Sequence, residues 1–108
     1  MEIRVDARNV ELPSNAGVRL RARVQRVLAR LAAGVTRVHL TLKDVDGPRN
    51  GRGKVCMLRA ELSGGGQVVV VDRSVRLGRA FVRCLRRSRR IISREIKRRR
   101  VRAMVPAW

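Results

Sequence analysis

Apolar and polar positions alternate from the first residues of the chain. Ile3, Val5 and Ala7 fall on one side of an extended backbone and Arg4 and Asp6 on the other, which predicts a strand over Glu2–Ala7. After Pro13 the period lengthens. Ser14 or Asn15 reads as an N-cap, and Leu20, Val24, Val27, Leu28 and Leu31 form the apolar stripe of a helix reaching about Ala32, with Gly34 ending it. Alternation returns in Val35–Lys43, with Val38, Leu40 and Leu42 inward and Arg37, His39 and Thr41 outward. Lys54–Leu62 repeats the pattern with Cys56, Leu58, Ala60 and Leu62 on one face. Gly64, Gly65 and Gly66 make a turn, and Gln67–Arg73 reads as a fourth strand. Ser74 reads as the cap of a long final helix running to Arg100, whose apolar side is Leu77, Ala80, Phe81, Cys84, Leu85, Ser88, Ile91 and Ile92.

The predicted order is β-α-β-β-β-α, an α+β fold. A strand–helix–strand unit with neighbouring strands makes the first two strands parallel, and the hairpins that follow are antiparallel. Each helix has one apolar stripe, so both are expected on one face of a four-stranded sheet, leaving Arg37, His39, Thr41, Arg59 and Glu61 on an open face. Residues 1–100 form one domain in this reading, and residues 101–108 a short tail. The apolar pattern fails after Ile92, which predicts that the last two helical turns overhang the sheet.

Charge changes the picture most. The 108 residues hold 27 Lys or Arg against 8 Asp or Glu, a net charge of +19. The helices carry 17 of those 27 cations, five in the first and twelve in the second, but one acid, Glu95. At 100° per residue Arg79, Arg83, Arg86, Arg90, Arg94 and Lys97 fall within about 80° of one another, opposite the apolar side. Arg19, Arg23, Arg26 and Arg30 fall within about 60° on one flank of the first helix. Like charges in a row repel, and no acid at i+4 relieves them, so the layer calls for a polyanion. Only Phe81 and Trp108 are aromatic. That argues against interfacial membrane binding and against single-strand binders that stack bases on aromatic platforms. Folded RNA or duplex, read through phosphate and shape, remains.

Other chemistry is sparse. No apolar run approaches the roughly 18 residues of a membrane span, and the start lacks a signal-peptide profile. Cys56 and Cys84 have neither disulfide-framework nor metal-ligand spacing and read as reduced core thiols, which makes the cytoplasm the expected location. The segment Gly47–Lys54 departs from a phosphate-loop motif in spacing, in Val55 where Ser or Thr belongs, and in the strand that follows. It reads as a basic loop whose Arg49, Arg52 and Lys54 are candidates for phosphate contact. His39 has no nucleophile or carboxylate set around it in the pattern. Asp44 and Asp46 read as turn formers rather than metal ligands. No enzyme, cofactor, metal or small-molecule substrate is expected.

The opening Ile3-Arg4-Val5-Asp6-Ala7-Arg8-Asn9-Val10-Glu11-Leu12 resembles that of the ribosome hibernation-promoting factors, the family that includes ribosome-associated inhibitor A and was once labelled as modulators of a sigma factor. Val35–Leu42, the strand ending Arg59-Ala60-Glu61-Leu62, and the final helix with Ala80, Leu85, Arg86 and Arg87 extend the resemblance to residues 2 to about 100. It implies binding to the small ribosomal subunit and its RNA across the messenger and transfer RNA channel, silencing translation under stress or in stationary phase. Carried onto this chain, the RNA-binding positions are Arg8, Arg19, Arg23, Arg26, Arg30, Arg79, Arg83, Arg86, Arg87, Arg90, Arg94, Lys97 and Arg98. The final helix is richer in Arg and poorer in acids than is usual for the family, and the Asp44–Gly53 loop is longer. The dimerisation domain of the long family forms has no counterpart in these residues, so the expectation is a monomer when free. Two other readings suit the charge: a non-ribosomal RNA or nucleoid binder using the same layer, and an adaptor for an acidic protein.

Overall fold

The computed structural model describes residues 1–45 and 53–104. Strand β1 (Glu2–Arg8) leads to helix α1 (Ala16–Leu28), a 3-10 segment (Ala29–Gly34), β2 (Val35–Asp44), β3 (Lys54–Leu62), β4 (Gln67–Ser74) and helix α2 (Leu77–Met104). The sheet order is β1-β2-β3-β4. β1 and β2 are parallel, with Ile3 beside Val38 and Val5 beside Leu40. The pairs β2–β3 and β3–β4 are antiparallel, with Leu40 beside Leu58 and Leu58 beside Val70. The α+β order expected from the sequence is the order observed.

Period-two alternation explains which side of the sheet is covered. Val38, Leu40, Leu42, Cys56, Leu58, Ala60 and Leu62 are all buried, and they join Val24 and Leu28 of α1 and Ala80, Phe81, Cys84, Leu85 and Ile92 of α2 in one core. Both apolar stripes therefore close on the same face. Ser88 reaches 0% exposure within this core because its hydroxyl donates to the Cys84 carbonyl at 2.7 Å, satisfying the group inside the helix.

The helix termini depart from the expectation. Asn15 occupies the N-cap of α1, but its side chain makes no capping hydrogen bond. The chain enters instead through backbone bonds, Ala16 N to Pro13 O at 2.9 Å and Arg19 N to Asn15 O at 3.1 Å. Regular α-helix stops at Leu28 rather than near Ala32, and Ala29–Gly34 tightens into 3-10 geometry. Ser74 does not cap α2. It ends β4, buried, and its hydroxyl accepts from Arg76 N at 3.3 Å, one turn before the helix begins.

The far end of α2 also differs. Glu95, Ile96 and Arg99 extend its docked face beyond Ile92. Ile96 packs over Gly34, where a Cβ would lie 2.6 Å from Ile96 Cδ1. Arg99 Nη1 donates to the Gly65 carbonyl at 2.7 Å, and Arg99 Nε pairs with Glu95 Oε1 at 3.2 Å. The glycine turn accommodates this grip because Gly64, Gly65 and Gly66 all take positive φ, a region closed to most side chains. The helix continues to Met104, so residues 101–104 are helical where the sequence suggested a tail.

Candidate nucleic-acid interface

All thirteen arginine and lysine positions singled out above are exposed. Their side chains do not share one environment. Asp72, on the inward side of β4 and 6% exposed, lies under α2. Arg87 Nη1 sits 3.2 Å from Asp72 Oδ2 and donates to the Val71 carbonyl at 3.0 Å, while Arg83 Nε lies 3.7 Å from Asp72 Oδ1. Arg98 Nη1 lies 3.6 Å from Glu95 Oε2. These three cations are partly neutralised within the molecule. The sequence reading found no acid at helical spacing to relieve the row; a strand acid does so across the helix–sheet interface for Arg83 and Arg87. The signal was present in the alternation of β4, where Asp72 shares the inward phase of Val70.

The other ten, Arg8, Arg19, Arg23, Arg26, Arg30, Arg79, Arg86, Arg90, Arg94 and Lys97, form no salt bridge among the described residues. Arg79, Arg86, Arg90, Arg94 and Lys97 keep their common side because α2 is continuous through all of them. Arg30 lies past Leu28 in the 3-10 segment, which rotates it about 40° from its helical place. Arg19, Arg23 and Arg26 stay together and border a cleft whose opposite wall is Leu77, Gly78 and Phe81 of α2, and which Arg30 does not line. Arg8 ends β1, at the exit turn where Asn9 takes a φ of 55°.

The open face of the sheet is electrostatically different. His39 Nε2 and Asp6 Oδ2 are 2.6 Å apart, Arg4 pairs with Asp6 at 3.1 Å, and Arg37 reaches both Glu2 and Glu61 at 3.5 Å. The His39 hydrogen bond, followed by the charge of Arg4, holds the Asp6 carboxyl below its ordinary value. His39 thus does have a carboxylate partner, from the neighbouring parallel strand, which its outward placement alone did not reveal. Thr41, expected in solvent, is buried on this face between Asp6 and Met57 of the flanking strands. Glu2, Asp6 and Glu61 thus offset Arg4 and Arg37 on this side, where Lys43, Arg59 and Arg73 share the same outward phase, whereas the helical side keeps a larger excess.

The remaining candidates are structural. Cys56 and Cys84 are buried and unbridged, and the neighbouring Cys84 sulfur together with burial pushes the Cys56 thiol up. Lys54 pairs with Asp44 across the start of β3. Asp46, Arg49 and Arg52 lie outside the described residues. Among the described residues no group of three or more His, Cys, Asp or Glu could hold a metal ion, and no helix is long and apolar enough to cross a membrane.

Fold and surface together define a small α+β domain with ion pairs on its sheet face and a cationic helical layer. Several solved structures share this fold. The Thermus thermophilus Protein Y N-terminal domain is similar with a TM-score of 0.69 at 20% identity, over 87% of this chain and 98% of that one. A ribosomal subunit interface protein from Coxiella burnetii is similar with a TM-score of 0.67 at 14% identity, over 90% of this chain and 99% of that one. The sequence matches no protein-family model and no curated protein sequence.

Proposed function

We propose that this chain is a ribosome-binding hibernation factor that lays its helical layer on ribosomal RNA of the small subunit and occupies the messenger and transfer RNA channel, holding translation off under stress or in stationary phase. The observation that carries the reading is the set of ten helical-side and strand-end cations that form no salt bridge among the described residues, on a molecule whose opposite face holds the ion pairs of Arg4 and Arg37. An intramolecular role would have matched them with acids, as Asp72 matches Arg87. Two proteins of the same fold, one described as a ribosomal subunit interface protein, support the choice of the ribosome over other RNA.

In this mechanism phosphates replace the missing counter-charges. Arg79, Arg86, Arg90, Arg94 and Lys97 make one line of contacts, and Arg19, Arg23 and Arg26 a second on the other side of the cleft. Inhibition is by occupancy and requires neither RNA cleavage nor a nucleotide. With a charge of +19 opposing self-contact, the free protein is a cytoplasmic monomer.

Sedimentation on a sucrose gradient with purified small subunits and intact ribosomes tests the reading. Co-migration with the small subunit, lost as salt rises, is the expected result. Protein that stays at the top of the gradient beside free subunits overturns it.

A further inference from the structure

The cleft between the N-terminal halves of α1 and α2 has a volume of about 570 Å3. Its depth is apolar: Leu42 is 1% and Phe81 7% exposed, with Leu12 and Leu77 beside them. Its rim on the α1 side is Arg19, Arg23 and Arg26, and none of its lining residues is acidic. Asn15 also lines it, with a side-chain amide that makes no capping bond.

From this combination we propose that the cleft receives one unpaired nucleobase of the bound RNA, a reading that rests on the proposed RNA-binding function. A base has two apolar faces, a polar edge, and phosphates on either side of its sugar. The leucine and phenylalanine floor takes the faces, the Asn15 amide meets the edge, and the arginines hold the flanking phosphates. The volume lies within the range of about 300–1,000 Å3 usual for sites that enclose small ligands. A base stacked in a continuous duplex cannot enter, so the cleft selects RNA carrying a bulged or looped-out nucleotide. An acidic amphipathic helix fits less well, because such a helix is about 10–12 Å across and calls for a long apolar trough.

Gly78 supplies a test that removes no charge. It lines the cleft, and a Cβ built on it meets no atom within 4 Å, so Gly78→Leu fills the space while keeping every arginine. Gly17 is equally open but does not line the cleft, which makes Gly17→Leu the control. The probes are an RNA hairpin with a single bulged 2-aminopurine and the same hairpin without the bulge. The wild-type protein is expected to prefer the bulged hairpin by about tenfold, the scale of one base buried against side chains, with a change in 2-aminopurine fluorescence. Gly78→Leu should bring that ratio close to one and leave the affinity for the fully paired hairpin within about twofold, since the phosphate contacts remain. Gly17→Leu should keep the preference.

Circular dichroism confirms that each variant is folded. Should Gly78→Leu fail to fold, Ala16→Leu fills the same cleft from α1. Equal binding of the two hairpins by wild type overturns the inference, as does a folded cleft-filling variant that keeps the preference. It also falls if an acidic leucine-rich peptide occupies the cleft while the hairpins bind equally, an outcome that assigns the cleft to a protein partner. A chain that sediments with the small subunit yet shows no bulge preference refutes this inference alone. One that shows the preference without sedimenting refutes the ribosomal function alone.

Discussion

Arg87 and Asp72 form an ion pair between the cationic helix and the sheet, Nη1 to Oδ2 at 3.2 Å, with the same nitrogen on the Val71 carbonyl at 3.0 Å. The aspartate is buried and the arginine half in solvent, so one guanidinium serves the core and the surface together. Replacing the acid by Asp72→Asn separates the two. Stability should fall by about 1–3 kcal/mol, the scale of a lost hydrogen bond to a charged group. Binding to the small subunit should strengthen, because Arg83 and Arg87 become available to phosphate. Urea unfolding and sedimentation on the same protein check the opposed signs.

The row itself is tested by Arg86, Arg90, Arg94 and Lys97→Gln. None of the four has an ionic partner among the described residues, so the fold should survive, and relief of i,i+4 repulsion should leave the unfolding midpoint no lower. Affinity for the small subunit should drop. The slope of log affinity against log salt should flatten by up to about 3.6, at 0.7–0.9 for each of four lost phosphate contacts. Arg4, Arg37, Lys43 and Arg59→Gln is the matched control on the sheet side, where three of the four residues already have partners. Equal losses in the two variants would show that only net charge matters.

Asp6 gives a pH dependence with a definite sign. Its carboxyl is held below its ordinary value of 3.8, first by the hydrogen bond with His39. A depressed folded-state value means that its contribution to stability is present above the unfolded value and is lost as pH falls through the folded one, in the acid range below about pH 4. In His39→Ala the Asp6 carboxyl should titrate at higher pH than in wild type. Carbon-detected NMR of the Asp6 carboxyl reads this directly, and an unchanged titration would contradict the pairing.

The glycines divide by backbone geometry. Gly65→Ala places a side chain at a φ of 102° and should destabilise by about 1–2 kcal/mol. Gly17→Ala, in α1 with open space around the new methyl, should stabilise by about 0.4–1 kcal/mol by restricting the unfolded chain. Thermal melts of the two variants should move in opposite directions.

Local patterning made the fold legible. Alternation placed Val38, Leu40, Leu58 and Ala60 inward, and the 3.6-residue period placed Val24, Leu28, Ala80 and Ile92 against them. Features that depend on distant residues were harder to read. Ala29–Gly34 carries no helix breaker before its glycine, so nothing local announced that the α-helix would stop at Leu28. Ile96 on Gly34, and Ser63 donating to the Ala33 carbonyl at 3.1 Å, tie that segment down from elsewhere in the chain. Glu95 and Arg99 looked like the end of an apolar stripe because their partners, each other and the Gly65 carbonyl, satisfy them without apolar contact. The cationic rows were visible in the periodicity, though the shift of Arg30 into the 3-10 segment depended on that same helix end. The cleft was not visible, since it lies between the N-terminal halves of two helices distant in sequence that share a core further along.

The continuity of α2 sets a length scale for the contact it offers. From Arg79 to Lys97 the row runs about 27 Å at 1.5 Å per residue, with neighbours about 4.5–6 Å apart along the axis when Arg83 is counted among them. Physiological salt screens charge over about 8 Å, more than one step of the row and far less than its whole. Each guanidinium is therefore coupled to its immediate neighbours and independent of the far end. A polyanion can engage one end first and spread along the helix by short increments, and it can peel away in the same manner. Release then proceeds turn by turn, so a competitor that displaces only one end of the row has already begun to free the whole.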